Sequence, residues 1–262
     1  MISPELPHLP ERTSKPRQTG IAMVMDKGLS LREAEDLIGT SSDYIDFLKL
    51  GFGTSLVTKN IQEKIKTYQK ANIKVYVGGT LFEAFIIRDQ FDGYCKYVEK
   101  LGLDTVEISD GSMSLDHDLK CEYIQKLAKN YTVLSEVGSK ESGILIAPNR
   151  WIEMMQKELQ AGSVKVIGEA RESGNVGIYR PTGKAHVSLI NKILEKVQSD
   201  KIVWEAPLKS QQVWFIRNFG ANVNLGNIPP SEVIPLETIR LGLRGDTFFQ
   251  FLPSSFKKFQ PK

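Results

Sequence analysis

The sequence predicts a single-domain (β/α)8 TIM barrel, and three observations carry that expectation. Short β-branched runs recur roughly every thirty residues, helical periodicity fills the intervals, and about eight such units fit within about 225 residues. Alternation of this kind calls for parallel strands joined by crossover helices, and eight units at that length match a closed barrel. The competing arrangement is an open doubly wound sheet. No GxGxxG follows the first strand, which removes the main reason to prefer it.

The predicted strands are "IAMVMD" at 21–26, "YIDFLKLG" at 44–51, "KVYVGGT" at 74–80 and "TVEISDG" at 105–111. They continue with "TVLSEVGS" at 132–139, "KVIGEARES" at 165–173, "KIVWEAP" at 201–207 and "NVNLGNI" at 222–228. Between them, "NIQEKIKTYQKA" aligns Ile61, Ile65 and Tyr68 on one helical face. "NRWIEMMQKELQAG" does the same with Ile152, Met155 and Leu159 before ending at Ala161-Gly162. Residues 1–19 read as an arm rich in proline and charge, 20–249 as the barrel, and 250–262 as a polar tail.

Composition narrows the function classes. The 262 residues are 41% hydrophobic and 25% charged, with 34 basic against 31 acidic residues and a net charge of +3. No basic stripe speaks for nucleic acid, and no apolar run approaches a membrane span. The first twenty residues lack the apolar centre of a secretory signal. Cys95 and Cys121 read as reduced thiols of a cytoplasmic protein, and the separated His8, His117 and His186 argue against a histidine metal centre or a Ser–His–Asp triad. Any chemistry falls to carboxylates, lysines and arginines.

Alternation along each strand says which of these face the barrel interior. Residues opposed to the apolar outward positions are Asp26, Lys49, Glu107, Glu136, Glu169, Glu205 and Asn224, with Arg171 and Ser173 beyond Glu169. Two like charges 4 Å apart repel by roughly 4 kcal/mol at an effective dielectric near 20, so five converging acids need protons, cationic side chains or a metal. All-oxygen donors without histidine or thiolate favour a hard ion such as Mg²⁺. Lys140 and Lys209 reach the same rim from loops, and Arg171 offers a fork suited to carboxylate or phosphate. Gly226 with a helix start near Ser231, and the pair Gly78-Gly79, are candidate anion contacts. The expectation is a Mg²⁺-assisted enzyme acting on a small, multiply anionic substrate, without nucleic-acid or membrane partners, that associates as a homo-oligomer.

"DYIDFLKLGFGTS", "YVGGTLFE", "VEISDGS", "LSEVGSK", "EARESG", "WEAPLKSQQ", "NVNLGNI" and "LETIRLGLRGDTF" together resemble the phosphosulfolactate synthase family, from about Gly20 to Phe248. The resemblance implies a TIM barrel that requires Mg²⁺ and adds sulfite to phosphoenolpyruvate to give phosphosulfolactate. It also implies Lys140 as proton donor, with Lys49 second. Glu107, Glu136, Glu169 and Glu205 become metal-site candidates, and Arg171, Lys209 and Lys49 become anion contacts. "NLGN" departs from the family pattern at Gly226, where alanine is expected. The rival readings are another enolate-handling barrel, such as an aldolase, or a non-catalytic relative of the kind linked in plants with heat-stress tolerance.

Overall fold

In the computed structural model of the chain, residues 6–138 and 146–260 are described. Among them, eight strands are all parallel where they pair, in the order β3-β2-β1-β8-β7-β6-β5-β4. The strands are β1 (Ala22–Asp26), β2 (Phe47–Leu50), β3 (Lys74–Val77), β4 (Thr105–Ile108), β5 (Thr132–Val137), β6 (Lys165–Gly168), β7 (Ile202–Glu205) and β8 (Leu225–Ile228). β3 packs beside β4 without a ladder of its own, closing the sheet into a (β/α)8 barrel.

The helices form the outer ring: α1 (Leu31–Ser41), α2 (Ile61–Lys70), α3 (Gly79–Ile86), α4 (Phe91–Leu101), α5 (His117–Leu127), α6 (Pro148–Ala161), α7 (Val187–Leu194), α8 (Lys209–Phe219) and α9 (Val233–Arg240). Their ends follow local chemistry. Ser30 and Glu33 build a reciprocal cap at the start of α1, Pro148 opens α6, and Gly102 and Gly162 end α4 and α6 in the left-handed conformation. Gly79 and Thr80, expected at the end of the third strand, instead open α3, so two helices lie between β3 and β4.

Alternation divides the apolar residues into two cores. Ile21, Met23, Phe47, Tyr76, Leu134, Ile167 and Val203 fill the barrel interior. Their neighbours Val24, Leu48, Val75, Val106, Val133, Val166 and Trp204 face the helices, where Trp204 stacks on Phe215 at 5.5 Å. Each such side chain, fully buried, contributes on the order of 1.5–3 kcal/mol, so the strand pattern stabilises inside and outside together.

The amino-terminal end of the barrel is sealed. The arm crosses it, with Arg12 on Glu237 at 2.8 Å and Arg17 on Asp46 at 3.1 Å. Lys165 donates to the Gln18 and Asp200 carbonyls, and the fully buried Arg240 donates to the carbonyls of Ala221, Val223 and Ile21. The carboxy-terminal segment is anchored too, since Phe251 packs on the outer core and Phe256 meets His8 edge-on at 5.6 Å. With that end closed, access falls to the opposite mouth. Among the described residues no helix is long and apolar enough to cross a membrane.

Candidate active site

Lys49 sits at the centre of the carboxyl-end mouth because β2 turns it inward between Leu48 and Leu50. Its ammonium lies 2.9 Å from Glu107 Oε1, 3.3 Å from Glu136 Oε2 and 3.6 Å from Glu205 Oε1. All four side chains are at most 7% exposed. Burial alone would weaken Lys49's hold on its proton, but the carboxylates of Glu107, Glu136 and Glu205 hold its pKa well above the ordinary value. Burial raises the pKa of Glu107, and raises that of Glu205 to about 7 with help from Glu136, against the pull of Lys49.

Glu136, Glu169 and Glu205 bring carboxylate oxygens within 4.8 Å of one another. Among the described residues they form the one group of acidic, histidine or cysteine side chains close enough to share an ion. Each has a backbone origin for its position. Glu136 and Glu205 face inward from β5 and β7, while Glu169 follows the last residue of β6. Glu205 Oε2 accepts from the Ala170 N–H at 2.9 Å, and Glu169 Oε1 accepts from Arg171 N at 2.5 Å. The next loop returns under Glu169: Ile178 N donates to the Glu169 carbonyl, and the Tyr179 hydroxyl donates to the Glu205 carbonyl at 2.7 Å. Gly177 adopts φ +62°, and a Cβ there would collide with the Glu169 backbone. This loop, whose role was illegible in sequence, therefore props two of the three acids.

The donor set fits a hard divalent cation. Glu205 Oε1 is buried without a hydrogen bond, a condition that an ion would relieve. Three carboxylate oxygens and no nitrogen or sulfur suit Mg²⁺. Glu107 stands beside the group rather than in it, its Oε1 shared between Lys49 and the Gly79 N–H at 2.6 Å.

A pocket of about 410 Å³ opens over these acids. Lys49, Glu136, Glu169, Glu205, Arg171 and Ser173 line it as the sequence predicted. Met25, Phe52, Thr80, Ser112 and Asn227 line it as well, and were not anticipated.

Several expected positions require correction. Asp26 faces outward: it pairs with Lys64 at 2.7 Å, receives the Tyr68 hydroxyl at 3.1 Å, and accepts from Gly28 and Leu29. Met23 fills the interior from the same strand, so Met25 rather than Asp26 points into the mouth. Asn224 lies at the sealed end, accepting from Ile21 N and donating to the Asp200 and Ile202 carbonyls. Gly226 is a packing glycine, since a Cβ there would come within 2.6 Å of Met23 Cε. A helical segment does begin beside Ser231, as a single turn over Pro230–Glu232 that runs into α9 at Val233, with Pro230 contributing no N–H. Lys209 is drawn outside to Asp246 at 2.6 Å. The Gly78 N–H is taken by the Leu50 carbonyl and that of Gly79 by Glu107, leaving neither for a ligand. Gly79 still serves the site, because a Cβ would press to 2.6 Å from Ser109 Cβ and push α3 off Glu107. Lys140 lies outside the described residues.

Comparison with known proteins gives the family. A model of the (2R)-phospho-3-sulfolactate synthase (ComA) family matches residues 10–246. The phosphosulfolactate synthase of Methanothermobacter thermautotrophicus is 44% identical over 91% of this chain and 95% of its own. That of Bacillus subtilis is 41% identical over 92% and 97%. A crystal structure of 3-hexulose-6-phosphate synthase superposes with a TM-score of 0.54 at 15% identity, covering 84% of this chain and 99% of that one, which speaks for the barrel alone. On the family match and these identities, the chain belongs to the phosphosulfolactate synthase family, a family of enzymes.

Proposed function

We propose that the protein is a carbon–sulfur lyase that adds sulfite to phosphoenolpyruvate in a Mg²⁺-dependent reaction, giving (2R)-phospho-3-sulfolactate. The observation that carries the reading is the convergence of Glu136, Glu169 and Glu205 beside Lys49 in the open mouth of a barrel of this family. The sulfite sulfur lone pair attacks the substrate's methylene carbon, and the double-bond electrons move toward the carboxylate as an enolate. A proton delivered to the carbon bearing the phosphate ester then completes the product. Glu136, Glu169 and Glu205 would hold the Mg²⁺, which would supply positive charge for the developing enolate.

The chain's own residues do the rest. Lys49 holds Glu107, Glu136 and Glu205 in one orientation and keeps the acids from repelling one another apart. The Arg171 guanidinium, at the pocket rim, meets an incoming anion. Lys140, by its position in the "EVGSK" motif, is the proton donor. Incubating the protein with phosphoenolpyruvate, sulfite and Mg²⁺ tests this directly, with product followed by mass spectrometry. A sulfonate product that disappears on chelation is expected; folded protein yielding none in either condition ends the proposal.

A further inference from the structure

We propose that Lys120 is a positioning residue for the ion site: from outside the barrel it fixes the peptide of Glu136 and so aims that glutamate at the ion it would share with Glu169 and Glu205. The inference rests on the Mg²⁺ reading above and deepens it. Lys120 is fully buried on α5, and its ammonium donates to the Glu136 carbonyl at 2.6 Å and to Asp110 Oδ1 at 2.9 Å. It pairs with Glu158 Oε1 at 2.9 Å as well. An ammonium has three N–H donors, and these three acceptors occupy them all.

The strand ladder explains why a donor is wanted at that carbonyl. Val133 O accepts from Val164 N and Val137 O from Glu169 N, so these carbonyls of β5 face β6. Successive residues of a strand turn their backbone groups to opposite neighbours, which points the Glu136 carbonyl toward β4. β4 ends at Ile108, whose partner in register is Ser135, one residue before Glu136. Past that point the chain leaves the ladder, and the Lys120 ammonium donates where the next rung would lie. The Glu136 carboxylate meanwhile points inward to Lys49 at 3.3 Å, so one residue is gripped on both sides of the barrel wall.

A lysine here is costly unless it orients something. The buried positions of α5, His117, Lys120, Ile124 and Leu127, recur at helical spacing, and an apolar residue at 120 would continue the packed face. Replacing a buried ion pair by apolar side chains of similar volume is often neutral for stability, so charge is a poor device for merely joining α5 to α6. It is a good device for aiming a carbonyl. Asp110, from the loop after β4, and Glu158, from α6, anchor the ammonium from two directions and keep it on Glu136. The same loop carries Ser112, which lines the pocket and donates its backbone N–H to Glu83 Oε2 at 2.7 Å.

The test uses the full chain. K120M alone strands two carboxylates, so the decisive variant is K120M/E158Q, which removes one charge of each sign and leaves Asp110, 13% exposed, in reach of water. E158Q is its control, because Lys120 keeps the Glu136 carbonyl there. Melting without metal, calorimetry with Mg²⁺ and turnover with phosphoenolpyruvate and sulfite are measured on each. K120M/E158Q should melt within a few degrees of E158Q and bind Mg²⁺ about 10-fold more weakly, as loss of an outer partner of a metal ligand does. Its turnover should fall at limiting Mg²⁺ and recover as Mg²⁺ is raised, while E158Q binds Mg²⁺ like the wild type. In an E136Q background the same two changes should weaken Mg²⁺ binding no further, because Lys120 acts through Glu136. Unchanged Mg²⁺ affinity in folded K120M/E158Q overturns the inference, and so do losses that add to that of E136Q. If Mg²⁺ affinity depends on Lys120 in a protein that makes no sulfonate, the positioning role stands and the proposed reaction falls. Sulfonate formed at the wild-type rate by K120M/E158Q at limiting Mg²⁺ gives the reverse.

Discussion

The two ends of the barrel handle buried charge in opposite ways. At the amino-terminal end, Arg12 meets Glu237, Arg17 meets Asp46, and Arg240, Lys165 and Asn224 spend their donors on backbone carbonyls. At the carboxyl end, three glutamates surround the buried Lys49, a fourth, Glu169, joins two of them, and Glu205 keeps a buried oxygen without a hydrogen bond. The sealed end pairs its two carboxylates with arginines and turns its other cations to backbone carbonyls, and its charges hold the fold. The open end gathers carboxylates whose oxygens lie within reach of one bound ion. Stability and binding are thus assigned to opposite rims of one strand set, as the barrel architecture allows.

The contrast can be broken most severely at the mouth. Replacing Glu169 or Glu205 with glutamine should weaken Mg²⁺ binding on the order of 100-fold in calorimetry, since a charged ligand is lost. The metal-free variants should melt no lower than the wild type, and E205Q a few degrees higher, because burial, which raises the Glu205 pKa to about 7, no longer disfavours an ionised group there. A lower melting temperature with intact Mg²⁺ affinity would assign these acids to the fold instead.

R240M should produce the complementary result. It leaves the Ala221, Val223 and Ile21 carbonyls without their buried donor, a loss of about 3 kcal/mol by denaturant titration. Mg²⁺ affinity of the folded fraction should not change. G79A tests the coupling of helix to site, because its Cβ must displace Ser109 or α3. We expect about 1–3 kcal/mol of destabilisation, with Mg²⁺ binding weakened less than in E169Q.

The smallest effect concerns a third, outer cluster. Lys120 pairs with Asp110 and Glu158 at 2.9 Å each and donates to the Glu136 carbonyl, while His117 touches Glu158. Burial alone would raise the Glu158 pKa, but Lys120 and then His117 and Ser135 hold it below 4.5. A carboxyl lowered on folding stabilises above its unfolded pKa, and that contribution fades as pH falls through the folded value. Stability measured below pH 4.5 should therefore fall more steeply in the wild type than in E158Q. Equal slopes would show that Glu158 contributes nothing there.

Much of the site was legible because strand alternation is a local rule. Lys49, Glu107, Glu136 and Glu205 each sit beside apolar residues that must face helices, so their own direction follows. β1 and β8 failed for different reasons. In β1 both candidate faces are apolar, and Asp26 can be placed only once Lys64 and Tyr68, forty residues on, are seen waiting for it on α2. In β8 a one-residue bulge after Leu225 inverts the pattern and hides Asn227, while Asn224 precedes the strand and lies at the opposite end. Lys209 was misplaced because Asp246, its partner, is distant in sequence and cannot be assigned to it by any periodicity.

The amino-acid sequence by itself determined the barrel, its family and the acidic character of its mouth, because periodicity, strand spacing and local motifs are properties of short segments. Only the tertiary structure decided which acids share a site, which lysine they surround, and which lysine stands behind them. Those outcomes depend on register between strands and on ion pairs formed across long stretches of chain, where burial makes a few ångströms the difference between a ligand and a strut.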